Sequence, residues 1–202
     1  MRILFIKCLS FVLFLDGLNC AAVAQAMAKM DTKNIFLLSM DKMMINMDKA
    51  PKGKSVADDY LEQMIPHHQG AIMMAETELR SGKDFKMRQL AKSIIVEQKS
   101  EIQQMQLWLK HSDMKKGPLP AGYQLLMGQI MQLMMKNMPG NSELKHTDHA
   151  FARVMIPHHE AAIGMSGVVI KYSEDPQTLS FAKQLISTEQ VEIEQMSSFL
   201  NE

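Results

Sequence analysis

The segment Met64-Ile65-Pro66-His67-His68-Gln69-Gly70-Ala71-Ile72-Met73-Met74-Ala75 decides the reading of this chain, because it returns as Met155-Ile156-Pro157-His158-His159-Glu160-Ala161-Ala162-Ile163-Gly164-Met165. Sliding the sequence on itself by 91 positions pairs residues 36–109 with 127–200 without a gap, and 23 of the 74 pairs are identical. That is an internal duplication. Met40, Met43, Met44 and Met47 come back as Met131, Met134, Met135 and Met138, and Glu101, Ile102, Gln104 and Met105 as Glu192, Ile193, Gln195 and Met196.

Outward from the repeated segment, apolar residues recur at spacings of three and four, the signature of amphipathic helices. Breaks fall at Ala50-Pro51-Lys52-Gly53, Ser81-Gly82, Gly117-Pro118-Leu119-Pro120 and Pro139-Gly140. Each repeat therefore reads as three helices, near 31–48, 56–81 and 84–111, then 121–138, 148–172 and 176–200. Asp84 and Asp175 stand at equivalent helix starts, and Pro176 follows Asp175 as an N1 proline follows an N-cap. No strand pattern competes, so the fold class is all-α. The 117–120 linker is short enough for both repeats to share one bundle.

On a helix advancing 100° per residue, Met64, His67, His68, Ala71 and Met74 share one broad face, as do Met155, His158, His159, Ala162 and Met165. Met64 and His68 are one turn apart, so a thioether and an imidazole can approach one metal ion. Met74 lies about 10 Å beyond His67 along a straight helix and suits a second ion or a site shared with another helix. Pro66 and Pro157 each remove a helical donor beside the histidines, at a cost of roughly 3 kcal/mol in a helix interior. A lone histidine on such a face is more often a buried group hydrogen-bonded to a carboxylate. Two adjacent histidines after Met and Pro, in both repeats, favour metal ligation. Imidazole suits copper, zinc, nickel or iron, and the neighbouring thioethers shift the choice towards Cu(I).

Methionine is the compositional anomaly, with 21 in 202 residues. Met127, Met131, Met134, Met135 and Met138 fall within about 100° of arc on one helix, and Met40, Met43, Met44 and Met47 form a matching stripe. Core packing and soft-metal ligation are both open readings of these stripes. His146 and His149 have no counterparts in the first repeat, where Ser55 and Asp58 stand, and are either a third site or surface histidines at a turn.

Residues 1–26 have the basic start, apolar centre and Ala24-Gln25-Ala26 cleavage site of an export signal, so the expected mature chain is one helical domain over 27–202 in a periplasmic or secreted location. Both cysteines, Cys8 and Cys20, lie in that signal, which leaves the mature chain no thiolate ligand and no disulfide. The apolar centre is too short to span a bilayer, and nothing after it reads as a stable membrane insertion. Lys and Arg total 22 against 22 Asp and Glu, so no basic excess points to nucleic acid.

The paired segments Met64–Ala75 and Met155–Met165 resemble the signature of the CopM-type copper-binding proteins over nearly the whole mature chain. The resemblance implies a ferritin-like helical bundle that binds Cu(I) and Ag(I) through Met and His and contributes to copper tolerance. Carried over by position, it implies ligands at Met64, His67, His68, Met155, His158 and His159, with Met74 and Met165 close behind. The family's Asp seven positions before the Met is present as Asp148 but is Ala57 in the first repeat, with Asp58 beside it. An envelope copper carrier or efflux component is the partner such a role implies. Two other classes stay in view. A di-iron oxidase would need two Glu-x-x-His pairs within helices, whereas the one such spacing, Glu143 to His146, sits at a helix entrance. A Met-rich interaction module would bind partner helices without metal.

Overall fold

The computed structural model describes residues 33–112 and 117–202, and the export signal proposed for residues 1–26 lies outside the described residues. Six α-helices follow one another: α1 (Ile35–Lys49), α2 (Val56–Ser81), α3 (Phe85–His111), α4 (Ala121–Asn137), α5 (Thr147–Tyr172) and α6 (Pro176–Leu200). A single 3-10 turn, Asn141–Glu143, precedes α5, and no strand occurs among the described residues. The arrangement is an all-α bundle, as the periodicity predicted.

Local chemistry sets the boundaries. The side chain of Asn34 accepts from the Phe36 backbone N–H at 2.9 Å, Ser55 from that of Asp58 at 3.0 Å, Asp84 from that of Met87 at 2.9 Å and Asp175 from that of Thr178 at 2.8 Å. Each satisfies a backbone donor that a helix start leaves without an intrahelical partner. Pro176 occupies the first turn of α6, where its missing N–H costs nothing. Pro66 and Pro157 lie inside α2 and α5, which continue through them.

Within each repeat the two long helices pack against each other, α2 on α3 and α5 on α6. The repeats join through α2 against α5, while α1 lies on α2 and α4 on α5. Gly70 lets α1 come close: a Cβ there would stand 2.8 Å from the Met43 side chain. At the join, Tyr60 of α2 shares a 2.7 Å hydrogen bond with Ser166 of α5. Tyr60 and Trp108 each meet Phe181 in a T-shaped contact, with centroids 6.4 and 5.6 Å apart.

A local twofold axis relates the repeats. His67 and His158, the same position in the two copies, face each other with ring centroids 3.8 Å apart. Gln98 and Glu189, likewise equivalent, meet across α3 and α6, where Gln98 Nε2 donates to Glu189 Oε1 at 3.2 Å. Both helix pairs therefore pack as the duplication implies, with the repeated His-His segment at the centre.

Candidate metal centre

Because α2 and α5 turn their repeated faces towards each other, His67, His68, His158 and His159 all have zero exposure. Met64, Met74, Met155 and Met165 are equally buried. Buried polar atoms almost always find a partner. Here both ring nitrogens of His67 and Nδ1 of His68, His158 and His159 have no hydrogen-bond partner. His158 Nε2 lies 3.2 Å from the His67 carbonyl oxygen, which accepts from it.

Carboxylates close the outer side of the pair. His68 Nε2 is 2.9 Å from Glu101 Oε2, and His159 Nε2 is 2.7 Å from Glu192 Oε2. A second carboxylate, Glu189, stands 3.8 Å from His159 Nδ1. His68 Nε2 shares this contact with Glu101, and its Nδ1 has no partner. A carboxylate behind an imidazole is the usual way of fixing the tautomer of a metal-ligating histidine.

Burial holds the pKa of His67 and of His158 well below the ordinary imidazole value, and the other histidines of the cluster push in the same direction. Both rings are therefore neutral at pH 7 and have a nitrogen lone pair to offer. At His159 burial pulls the same way, but Glu189 and Glu192 outweigh it and the net shift is upward. Burial pushes Glu189 up to about 8. Among the described residues no three His, Cys, Asp or Glu side chains converge as a ready-made metal cage. A metal ion here would draw on imidazole together with thioether, a donor set that selects soft cations such as Cu(I).

The two methionine stripes divide between packing and lining. Met40, Met43 and Met134 lie in the core, and Met135 is 40 % exposed, so the five-residue stripe of α4 does not act as a unit. Met47 is buried, while Met44, Met127, Met131 and Met138 are partly buried against the core. Met44 and Met47 of α1, Met127 and Met131 of α4 and Met165 of α5 line one open cavity of about 380 Å³. Asp48, Lys52 and Asp59 line the same cavity. Met165 is thus among methionines from two other helices, whereas Met74, expected to suit a second ion or a site shared with another helix, does not line this cavity. His146 and His149 are exposed at the start of α5, away from the buried four, and the His149 ring lies tilted against Phe199 with centroids 5.0 Å apart.

The helical reading missed the carboxylates. Glu101 and Glu192 recur in the duplication together with Gln104/Gln195 and Met105/Met196, and that recurrence was the available signal. Asp148, singled out by position, ties the repeats together: its Oδ1 accepts from the backbone N–H groups of Lys83 and Asp84 at 2.7 and 2.8 Å. In the first repeat Asp58 accepts from the Ser112 hydroxyl at 2.7 Å.

The structure resembles CopM in its Cu(I)-bound form, with a TM-score of 0.55 and 28 % identity over 72 % of this chain and 95 % of CopM. The Ag-bound form of CopM aligns equally, again at 0.55 and 28 %, over 72 % of this chain and 94 % of that one. A DUF305 fragment from Deinococcus radiodurans shares the fold at a TM-score of 0.54 and 23 % identity, over 75 % of this chain and 99 % of the fragment. An uncharacterized protein, L153, of Acanthamoeba polyphaga mimivirus is 38 % identical over 55 residues, 27 % of this chain, and the match spans 36 % of that relative's length. The family described as "Domain of unknown function (DUF305)" matches twice, over residues 18–109 and 111–201, once for each repeat. This chain belongs to the DUF305 family, with two copies of its domain in tandem.

Proposed function

We propose that this protein is an exported copper-binding protein that sequesters or carries Cu(I) through Met and His ligands and so contributes to copper tolerance. The observation that carries this reading is the four-imidazole cluster, fully buried, with unpartnered ring nitrogens and fully buried thioethers on the same helices. Water could satisfy such nitrogens at a protein surface, but a buried lone pair calls for a partner. His67, His68, His158 and His159 with Met64 and Met155 would hold one group of ions, and Met44, Met47, Met127, Met131 and Met165 a second. Thioether sulfur stays neutral and gives up no proton on binding, which suits a compartment where thiols are drawn into disulfides.

CopM, similar in fold and sequence, has been solved with Cu(I), with Cu(II) and with Ag bound. This supports copper as cargo and a binding protein rather than an enzyme. No helix among the described residues is long and apolar enough to cross a membrane. In the proposed role the ion moves between this protein and an envelope copper carrier or efflux component.

The test is an anaerobic Cu(I) titration of Met27–Glu202 against a chromogenic competing chelator, beside His67→Ala/His158→Ala, with circular dichroism to confirm helicity. Tight binding that weakens in the folded variant and is not reproduced by Zn(II) supports the reading. A wild type unable to compete for Cu(I) overturns it, and a metal-independent interaction module then becomes the reading to pursue.

A further inference from the structure

Two open cavities reach the carboxylates that contact the buried histidines, and the duplication makes them a pair. Helices α3 and α6 touch each other at few points. Along their seam lie two open cavities of about 480 Å³ each. One is lined by Glu101, Gln104, Phe181 and Gln184, the other by Leu90, Ser93, Glu192 and Gln195. Adding 91 to Leu90, Ser93, Glu101 and Gln104 gives Phe181, Gln184, Glu192 and Gln195, so the cavities are the same opening generated twice.

No histidine lines either cavity, yet each cavity includes the one carboxylate that touches a buried histidine Nε2. Glu101 is partly open at 20 % side-chain exposure, and Glu192, at 7 %, is buried at the edge of its cavity, each in front of an imidazole at 0 %. Neither cavity's lining contains an Arg, and its one cation, Lys86, pairs with Glu202 at 2.6 Å. Behind the Glu192 opening, Glu189 Oε2 is also buried without a partner.

We propose that these openings are two pseudo-symmetric intake sites, where an incoming metal cation exchanges water for the carboxylate of Glu101 or Glu192 before reaching His68 or His159. The proposal rests on the copper reading and adds the route to it. A carboxylate in a low-dielectric cleft raises the local concentration of cations and their rate of arrival. One carboxylate with one imidazole makes a weak, two-ligand stop, fitted to passage rather than storage. The thioether and imidazole donors further in supply the stronger set.

Stopped-flow uptake of Cu(I) from a coloured chelator complex tests the route, in the wild type and in a Met44→Leu/Met47→Leu/Met127→Leu/Met131→Leu background that removes four of the five methionines of the methionine cavity. Glu101→Gln/Glu192→Gln retains an oxygen that accepts from the imidazole but removes the charge. Ser93→Trp/Gln184→Trp obstructs both openings from exposed positions and leaves the carboxylates in place. The expected result is uptake about tenfold slower or more in both pairs, with the tryptophan pair reaching the wild-type number of ions at equilibrium. Wild-type uptake rates in both pairs overturn the intake sites and leave copper binding standing. A wild type that takes up no Cu(I) overturns both.

Discussion

The two repeats share the His-His segment and differ in what surrounds it. In the first, His68 faces Glu101, and the neighbouring position on α3 is Gln98; in the second, His159 faces Glu192, and the equivalent of Gln98 is a second carboxylate, Glu189. One histidine has a single, partly exposed acidic neighbour and the other has two buried ones. At the far end of the same helices, Glu78 of the first repeat corresponds to Val169 of the second, and both are buried. At the near end, Ser55 caps α2, whereas its counterpart His146 makes no capping bond to α5. Duplication kept the histidines buried in the bundle and let the charge around them diverge, so the two halves of the cluster are chemically inequivalent.

The largest effect that follows is an unequal response to deleting equivalent histidines. His159→Leu leaves Glu189 and Glu192 buried without their imidazole and should cost about 3–5 kcal/mol of metal-free stability. His68→Leu leaves only Glu101, which can turn to solvent, and should cost about 1–3 kcal/mol. Urea unfolding of both variants checks the order; equal losses would mean that the Gln98/Glu189 difference has no energetic consequence.

A smaller contrast should appear against pH at the other end of the bundle. Burial, reinforced by Asp148, pushes Glu78 up to about 8. A folded-state pKa above the unfolded value means that the folded chain holds the extra proton. The associated stability is complete below about pH 4.5 and is lost as pH rises towards 8. Glu78→Gln, neutral at every pH, should therefore gain on the wild type by several degrees in Tm between pH 5 and pH 8. A wild-type to variant difference that does not change with pH would show that Glu78 is ionised in the fold. Asp148 opposite it is pulled up by burial, but the Asp84 and Lys83 backbone N–H groups and Glu78 outweigh this and hold it low.

The smallest effect concerns the helix starts. Ser55→Ala should cost about 1 kcal/mol, and His146→Ser, which installs in the second repeat the cap that the first already has, should return a few tenths to about 1 kcal/mol. Thermal unfolding of the two single variants and of the double reads both; a destabilising His146→Ser would mean that the exposed ring contacts of His146 contribute more than a cap.

Much of this fold was legible because its determinants are local. Asp84, Asp175 and Pro176 act within one turn of chain, and the breaks at Ala50–Gly53 and Pro139–Gly140 interrupt helices wherever the rest of the protein lies. The start of α1 shifted most, to Ile35, where Asn34 supplies the cap, and four other helix bounds moved by one residue. The site was half legible. Repetition marked the histidines, but a stripe of methionines on one helix carries the same pattern whether it packs or lines a cavity. Met134 and Met135 are neighbours in sequence, yet one is buried and the other exposed, and neither lines the methionine cavity.

From sequence alone came the duplication, the six helices and the methionines and paired histidines proposed as donors, because each depends on residue type and on spacing along a single helix. The tertiary structure decided that His67 meets His158 ring to ring, that α1, α4 and α5 bring five methionines to one cavity, and that Glu101 and Glu192 stand between solvent and the buried imidazoles. Those relations join atoms on different helices, and the packing of α2 on α5 and of α3 beside α6 sets their distances.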